Sequence, residues 1–124
     1  MIGLGIDLCA IHRMERLLAE ENGFLRRYFT EDEQAYIKSR GSMAAQSMAA
    51  MFAAKEALLK AMGLPLGGGV ELREIAVSHN ASGRPSYALT GKAAEMLAAL
   101  GAKETHVSLT HEGGMAAAVA VIQG

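Results

Sequence analysis

Glu56 and Lys60 are the pair of residues in this sequence best spaced to do chemistry together. They lie four positions apart in Met51-Phe-Ala-Ala-Lys-Glu-Ala-Leu-Leu-Lys-Ala-Met-Gly63, so a helix would put both on one face. Such a pair is either an exposed ion pair contributing a few tenths of a kcal/mol, or a carboxylate and an amine on a rigid wall facing something charged. Spacing alone is compatible with both. Asp7 offers a second carboxylate, placed where a glycine-interrupted apolar run would end as a strand. There an Asp is a helix cap, a turn former or a rigidly held metal ligand. No Ser/His/Asp set or activated Cys is legible, which argues against acyl transfer through a covalent intermediate. Cys9, among apolar neighbours, reads as a small buried hydrophobe.

The element that must carry Glu56 and Lys60 is a long helix. Ala, Leu, Met, Lys and Glu are strong helix formers, and neither Pro nor a β-branched residue interrupts them. Ser42 to Ala50 is equally helix-prone, so one helix of roughly 20 residues, about 30 Å long, is expected from Ser42 to Met62. Gly63 followed by Pro65 stops it. Phe52, Leu58, Leu59 and Met62 need cover, so this helix must be largely buried. Lys55, Glu56 and Lys60 are its only charges.

Asp7 needs a strand. Ile2, Leu4 and Ile6 alternate with Gly3 and Gly5, a period of two that also clears one face for close backbone approach. From Ile11 the spacing becomes helical, with Ile11, Met14, Leu17 and Leu18 on one face and His12, Arg13, Glu15, Arg16 and Glu20 elsewhere. Thr30-x-x-Glu33 is a capping box, with Glu31 and Asp32 in the first turn, and opens a short helix to about Ser39. Gly67 to Gly69 reads as a loop, since it lacks the Gly-Lys-Ser/Thr ending of a phosphate loop. Glu74–His79 and Pro85–Leu89 read as strands joined by the turn-rich Asn80–Arg84. A helix from Lys92 to Leu100 stops at Gly101, and Thr105–His111 and Met115–Ile122 form a second hairpin around Glu112–Gly114. The last strand is nearly all apolar and is expected in the middle of its sheet.

The remaining bounds come from length and composition. The 124 residues suffice for a single domain, 1–124, with one core. A net charge of −1 gives no basis for nucleic-acid binding, and no apolar run reaches membrane-spanning length. One Cys excludes an internal disulfide and fits a reducing cytoplasm. With 5% aromatics, no Trp and eight Met, the core is built of small and flexible side chains, which points to oligomerisation.

Four stretches in order carry a family resemblance: Gly5-Ile-Asp7; Phe29-Thr-x-x-Glu33; Phe52-Ala-x-Lys55-Glu56-Ala-x-x-Lys60-Ala-x-Gly63; and Val107-Ser-Leu-Thr-His111 with the Ala-rich strand behind it. Each motif alone is weak, and the ordered set at these separations is specific. The sequence resembles, from Ile2 to Ile122, the short bacterial type of 4′-phosphopantetheinyl transferase, the holo-(acyl-carrier-protein) synthases. Met115 departs from the pattern, which carries an aromatic, often Tyr, before the small residues of the last strand.

The resemblance implies an α+β fold, a small antiparallel sheet packed on a long central helix. It also implies transfer of the phosphopantetheine arm of coenzyme A to a serine of apo acyl carrier protein, with release of 3′,5′-ADP, in support of fatty acid biosynthesis. Asp7 and Glu56 match the family's metal pair, and two carboxylates suffice for Mg²⁺, which keeps waters and takes phosphate oxygens. Lys60 would contact the pyrophosphate or take the serine proton, and the phosphate role is favoured, because a basic Lys needs a depressed pKa that Glu56 opposes. Coenzyme A would lie between subunits of a homotrimer, against Lys55, Lys60, Gly63, Gly83, Arg84, Pro85, Ser108, Thr110 and His111. His111 would bond the 3′-phosphate, although a His ending a strand is often a turn residue. Arg13 and Arg16, with Arg26 and Arg27, would face the acidic carrier protein. Two other readings remain open: a trimeric nucleotide or coenzyme A-binding module without transferase activity, and a metal-dependent pyrophosphatase acting on nucleotides.

Overall fold

Gly3 and Gly5 decide how the molecule closes. They face the long helix from strand β1 (Gly3–Ala10), and a Cβ added at either would stand 1.9 Å from a helix carbonyl, that of Ala61 or Ala57 respectively. Only glycine lets the strand lie directly on the helix backbone. A computed structural model describes residues 1–20, 23–65 and 68–124. In chain order β1 is followed by α1 (Ile11–Glu20), α2 (Phe24–Tyr28), α3 (Glu31–Ser39), α4 (Ala44–Ala61), β2 (Ile75–His79), β3 (Pro85–Leu89), α5 (Gly91–Ala99), β4 (Glu104–Glu112) and β5 (Met115–Gln123). Short 3-10 turns at Gly41–Met43 and Leu72–Glu74 precede α4 and β2.

The expected α+β architecture, a small antiparallel sheet on a central helix, is what forms. β5 lies between β1 and β4 in an antiparallel three-stranded sheet, and β2 and β3 form a separate antiparallel hairpin. The central place of β5 follows from its composition: its alternate residues Ala116, Ala118, Ala120 and Ile122 are buried under α4. Met115, at the start of that strand, faces Ala10 and Glu112 and is exposed. α4 is buried nearly all round, through Met48, Met51, Phe52, Leu58 and Leu59 among others.

Several boundaries differ from the sequence reading. The long helix begins at Ala44 behind its 3-10 turn rather than at Ser42, since Met43, at φ −96° and ψ 6°, leaves the helical conformation. The run Ile2–Asp7 does not end at Asp7: β1 continues to Ala10, and Asp7 pairs with Ala118 in mid-strand. Nothing in Leu8-Cys9-Ala10 breaks a strand, and Cys9 continues the inward alternation. The capping box at Thr30 is present, with Thr30 Oγ1 accepting from Glu33 N at 3.2 Å and Glu33 Oε1 from Thr30 N at 2.9 Å. Of the glycine loop expected at Gly67 to Gly69, Gly67 lies outside the described residues. Among the described residues no helix is long and apolar enough to cross a membrane.

Candidate active site

Asp7, Glu56 and Lys60 converge where β1 crosses α4. The residues of β1 that face α4 are Gly3, Gly5, Asp7 and Cys9, so the two glycines that admit the strand also bring Asp7 to the helix. Lys60 Nζ donates to Asp7 Oδ1 at 2.7 Å and to the Ile6 carbonyl at 3.1 Å. The Asp7 side chain is 13% exposed and that of Lys60 54%, so the pair sits at the surface end of the crossing rather than in the core. The hydrogen bond from Lys60 to Asp7 and the Asp7 charge raise the Lys60 pKa, keeping the amine an ammonium at neutral pH.

Glu56 stands one turn before Lys60 on α4. Burial raises its pKa, repulsion from the Asp7 carboxylate adds to the rise, and Arg13 and Lys60 oppose it. Two carboxylates that repel each other across a partly desolvated gap form a seat for a cation. The donors are oxygen only, which suits Mg²⁺ rather than a soft metal. Among the described residues no group of three or more His, Cys, Asp or Glu side chains gathers to hold a metal, so Asp7 and Glu56 would have to be completed by water and substrate oxygens.

The other expected contacts divide between two faces. In the sheet register Ile6, Val119 and Ser108 stand side by side, as do Leu8, Ala117 and Thr110. Side chains level with each other share a face. Ser108 and Thr110 therefore lie on the outer face, opposite Asp7. His111 is level with Ala116 and Cys9 on the α4 side, where its Nε2 is 3.1 Å from Gln46 Nε2. Gly63, with φ 77°, closes α4 and is exposed three residues past Lys60. Gly83 and Arg84 are exposed at the tip of the β2–β3 hairpin, where Asn80 Oδ1 accepts from the Arg84 backbone at 2.9 Å, and Pro85 opens β3.

Lys55 is not with Asp7, Glu56 and Lys60. Its side chain is fully buried, and its Nζ donates to Glu33 Oε1 at 2.8 Å and to the carbonyls of Leu72 and Ile75, each at 2.9 Å. The expectation that it binds coenzyme A is corrected on that ground: three donors are engaged inside the protein. Arg13, Arg16, Arg26 and Arg27 are exposed on α1 and α2. Arg13 and Arg27 flank a 430 Å³ groove floored by Phe24, Tyr28, Phe52 and Leu72, with the Arg13 guanidinium 5.3 Å from the centre of the Phe52 ring.

The family model for the 4′-phosphopantetheinyl transferase superfamily matches residues 3–120. The chain belongs to that superfamily. Among curated relatives of this transferase, the holo-[acyl-carrier-protein] synthase of Treponema denticola is 44% identical over 124 residues, covering 100% of this chain and 99% of the relative. The corresponding synthase of Trichlorobacter lovleyi is 41% identical over 99% of this chain and 98% of its own. Among solved structures, holo-[acyl-carrier-protein] synthase of Neisseria meningitidis superposes with TM-score 0.88 at 29% identity, covering 100% of both chains. The Helicobacter pylori synthase in complex with coenzyme A gives 0.82 at 27% identity, over 97% of this chain and 99% of that one.

Three features of this transferase escaped the sequence reading. Glu33 reads as a cap and is also the partner of buried Lys55; the signal was a lysine inside an otherwise apolar helix. Tyr87 donates from β3 to the Ala54 carbonyl of α4 at 2.6 Å. Gln46 beside His111 has no sequence signal, because the two are brought together only by the fold.

Proposed function

We propose that this chain transfers the 4′-phosphopantetheine group of coenzyme A to a serine of apo acyl carrier protein, releasing 3′,5′-ADP. The convergence of Asp7, Glu56 and Lys60 at the β1–α4 crossing carries the reading, in a chain matched over its length by named holo-[acyl-carrier-protein] synthases. The serine oxygen forms a bond to the pantetheine-side phosphorus of the pyrophosphate and gives its proton to solvent water, while the bond from that phosphorus to the bridging oxygen breaks and that oxygen leaves with the nucleotide. Such a reaction asks the protein for position and positive charge more than for covalent help.

Asp7 and Glu56 would hold Mg²⁺, which when bound neutralises pyrophosphate oxygens. Lys60 supplies a second positive charge beside the pyrophosphate; its raised pKa favours this over proton abstraction. Binding of coenzyme A falls to Lys60, Gly63, Gly83, Arg84, Pro85, Ser108, Thr110 and His111. Ser108 and Thr110 lie on the sheet face opposite the carboxylates, so this set can surround one ligand only if a neighbouring subunit contributes part of it. On the same outer face Leu4, Ile6 and Leu8 are 59, 62 and 61% exposed, an apolar surface suited to burial in a homotrimer. Arg13 and Arg27 above the aromatic groove, with Arg16 and Arg26 nearby, suit an acidic carrier protein that docks an apolar residue between them. The setting is fatty acid biosynthesis in the cytoplasm.

Mass spectrometry of apo acyl carrier protein incubated with coenzyme A, Mg²⁺ and this protein tests the reading. A phosphopantetheine adduct is expected, and unmodified carrier protein at full incubation refutes transfer. Light scattering is expected to give three subunits, and an active monomer overturns the shared site.

A further inference from the structure

We infer that Glu33 and Lys55 are a positioning pair for this transfer, fixing the roll of α4 so that Glu56 and Lys60 meet Asp7. The inference rests on the transferase reading above.

The contact between β1 and α4 cannot fix that roll by itself. At Gly3 and Gly5 it is backbone against backbone, at Ala57 and Ala61, and the side-chain bonds there come from half-exposed Lys60 to Asp7 and the Ile6 carbonyl. Small residues give contact without interlocking, and apolar contact has no direction. A roll of about 10° carries a carboxylate about 6 Å from the axis through about 1 Å. Misplacement of that size lowers rates by about 100-fold.

Besides the half-exposed Lys60 bonds at this contact, fully buried directional bonds are found on another side of α4. At about 100° per residue, Lys55 points roughly opposite the Ala57–Ala61 contact. Lys55 Nζ and Glu33 Oε1 are 2.8 Å apart, and the two side chains are 0% and 2% exposed. Glu33 is itself held from two sides, Oε1 by Thr30 N and Oε2 by Val77 N, each at 2.9 Å. With Leu72 and Ile75 carbonyls on the same ammonium, four segments meet at one point: the start of α3, α4, the 3-10 turn at Leu72–Glu74, and β2. Both partners have their bonding capacity engaged, so rotating α4 would break several charge-assisted bonds together. Burial lowers the Lys55 pKa and Glu33 opposes the change. Glu56, the next residue, takes its direction from this anchor.

Removing Lys55 alone would leave Glu33 buried and unpaired, a loss large enough to threaten folding itself. The test therefore uses two milder changes in the full-length protein. Glu33→Asp keeps the charge pair but shortens one arm by a methylene, pulling the anchor inward. The double variant Glu33→Gln, Lys55→Met removes both charges while keeping volume and one carbonyl acceptor. For each, melting temperature, kcat, the KM for coenzyme A and the Mg²⁺ affinity by calorimetry are measured against the parent. A positioning role predicts kcat lower by about tenfold or more in Glu33→Asp and by about 100-fold in the double variant. Mg²⁺ should bind several-fold more weakly in both, with melting well above the assay temperature and the KM nearly unchanged. A purely structural pair would lower the melting temperature alone. Folded Glu33→Asp with parental kcat and Mg²⁺ affinity overturns the inference, whether or not the double variant folds. If the parent fails to modify the carrier protein, the transferase reading falls, and the Mg²⁺ isotherms still decide the pair.

Discussion

Gly5→Ala is the sharpest test of how the strand and the helix make the site. Two effects of this substitution have opposite signs. Gly5 has no left-handed backbone, so replacing it by Ala narrows the unfolded ensemble and should stabilise by about 0.4–1 kcal/mol. Against that, the new Cβ would lie 1.9 Å from the Ala57 carbonyl oxygen and 2.8 Å from Ala61 N, both backbone atoms that cannot swing away. Reaching an ordinary contact near 3.4 Å requires β1 to withdraw by about 1.5 Å. Overpacking of this kind costs about 1–3 kcal/mol, so the clash wins. A net loss of about 1.3 kcal/mol corresponds to melting about 5 °C lower in a chain of this size. Asp7 is two residues along the withdrawn strand, so the 2.7 Å contact with Lys60 should open, and kcat should fall by about 100-fold. Thermal unfolding by circular dichroism and a coupled carrier-protein assay read the two effects separately. A variant that melts at or above the parent and retains its rate would refute the close-approach argument.

Three further outcomes are expected. Because the raised Glu56 pKa means the folded protein holds that proton more tightly than the unfolded chain, stability falls as pH rises through the window above the ordinary value of 4.5; metal-free Glu56→Gln should thus melt above the parent at pH 8 by an amount that vanishes in acid, while losing activity almost completely. Lys60→Arg keeps the charge and should retain a good share of kcat at saturating coenzyme A, whereas Lys60→Ala should lose at least about tenfold more; equal collapse of both would favour Lys60 as the base. Tyr87→Phe deletes the hydrogen bond to the Ala54 carbonyl and should cost about 1 kcal/mol, near 4 °C in melting temperature, and an unchanged melting curve would deny that bond any weight.

Local signals were legible in the sequence. The Thr30 box, the Gly63 stop and the alternation of glycine with Ile2, Leu4 and Ile6 each act within a few residues. Helix periodicity is enough to put Glu56 and Lys60 on one face, and strand alternation puts Asp7 on the same face of β1 as Gly3 and Gly5. Lys55 was misread for a physical reason: α4 is apolar nearly all round, so its pattern has no wet side against which a charge can be oriented. Its partner is 22 positions away in sequence, beyond the reach of any local rule. α2, five residues behind Gly23 with no side-chain cap, left no mark of the usual kind.

The pairing of β1 with β5 also sets a timetable. Gly3 lies opposite Ile122 and Asp7 opposite Ala118, and in the three-stranded sheet β1 has no other neighbour. During synthesis the strand bearing Asp7 is translated before β5 and must wait for it before its backbone groups find partners in that sheet. α4 and its cover can assemble meanwhile, since α1, α3 and β2 lie closer along the chain. Contacts across such separations form slowly, over milliseconds to seconds rather than microseconds. In refolding from denaturant, helical signal should therefore return before metal affinity, because the seat at Asp7 is assembled only when the two ends of the sequence meet.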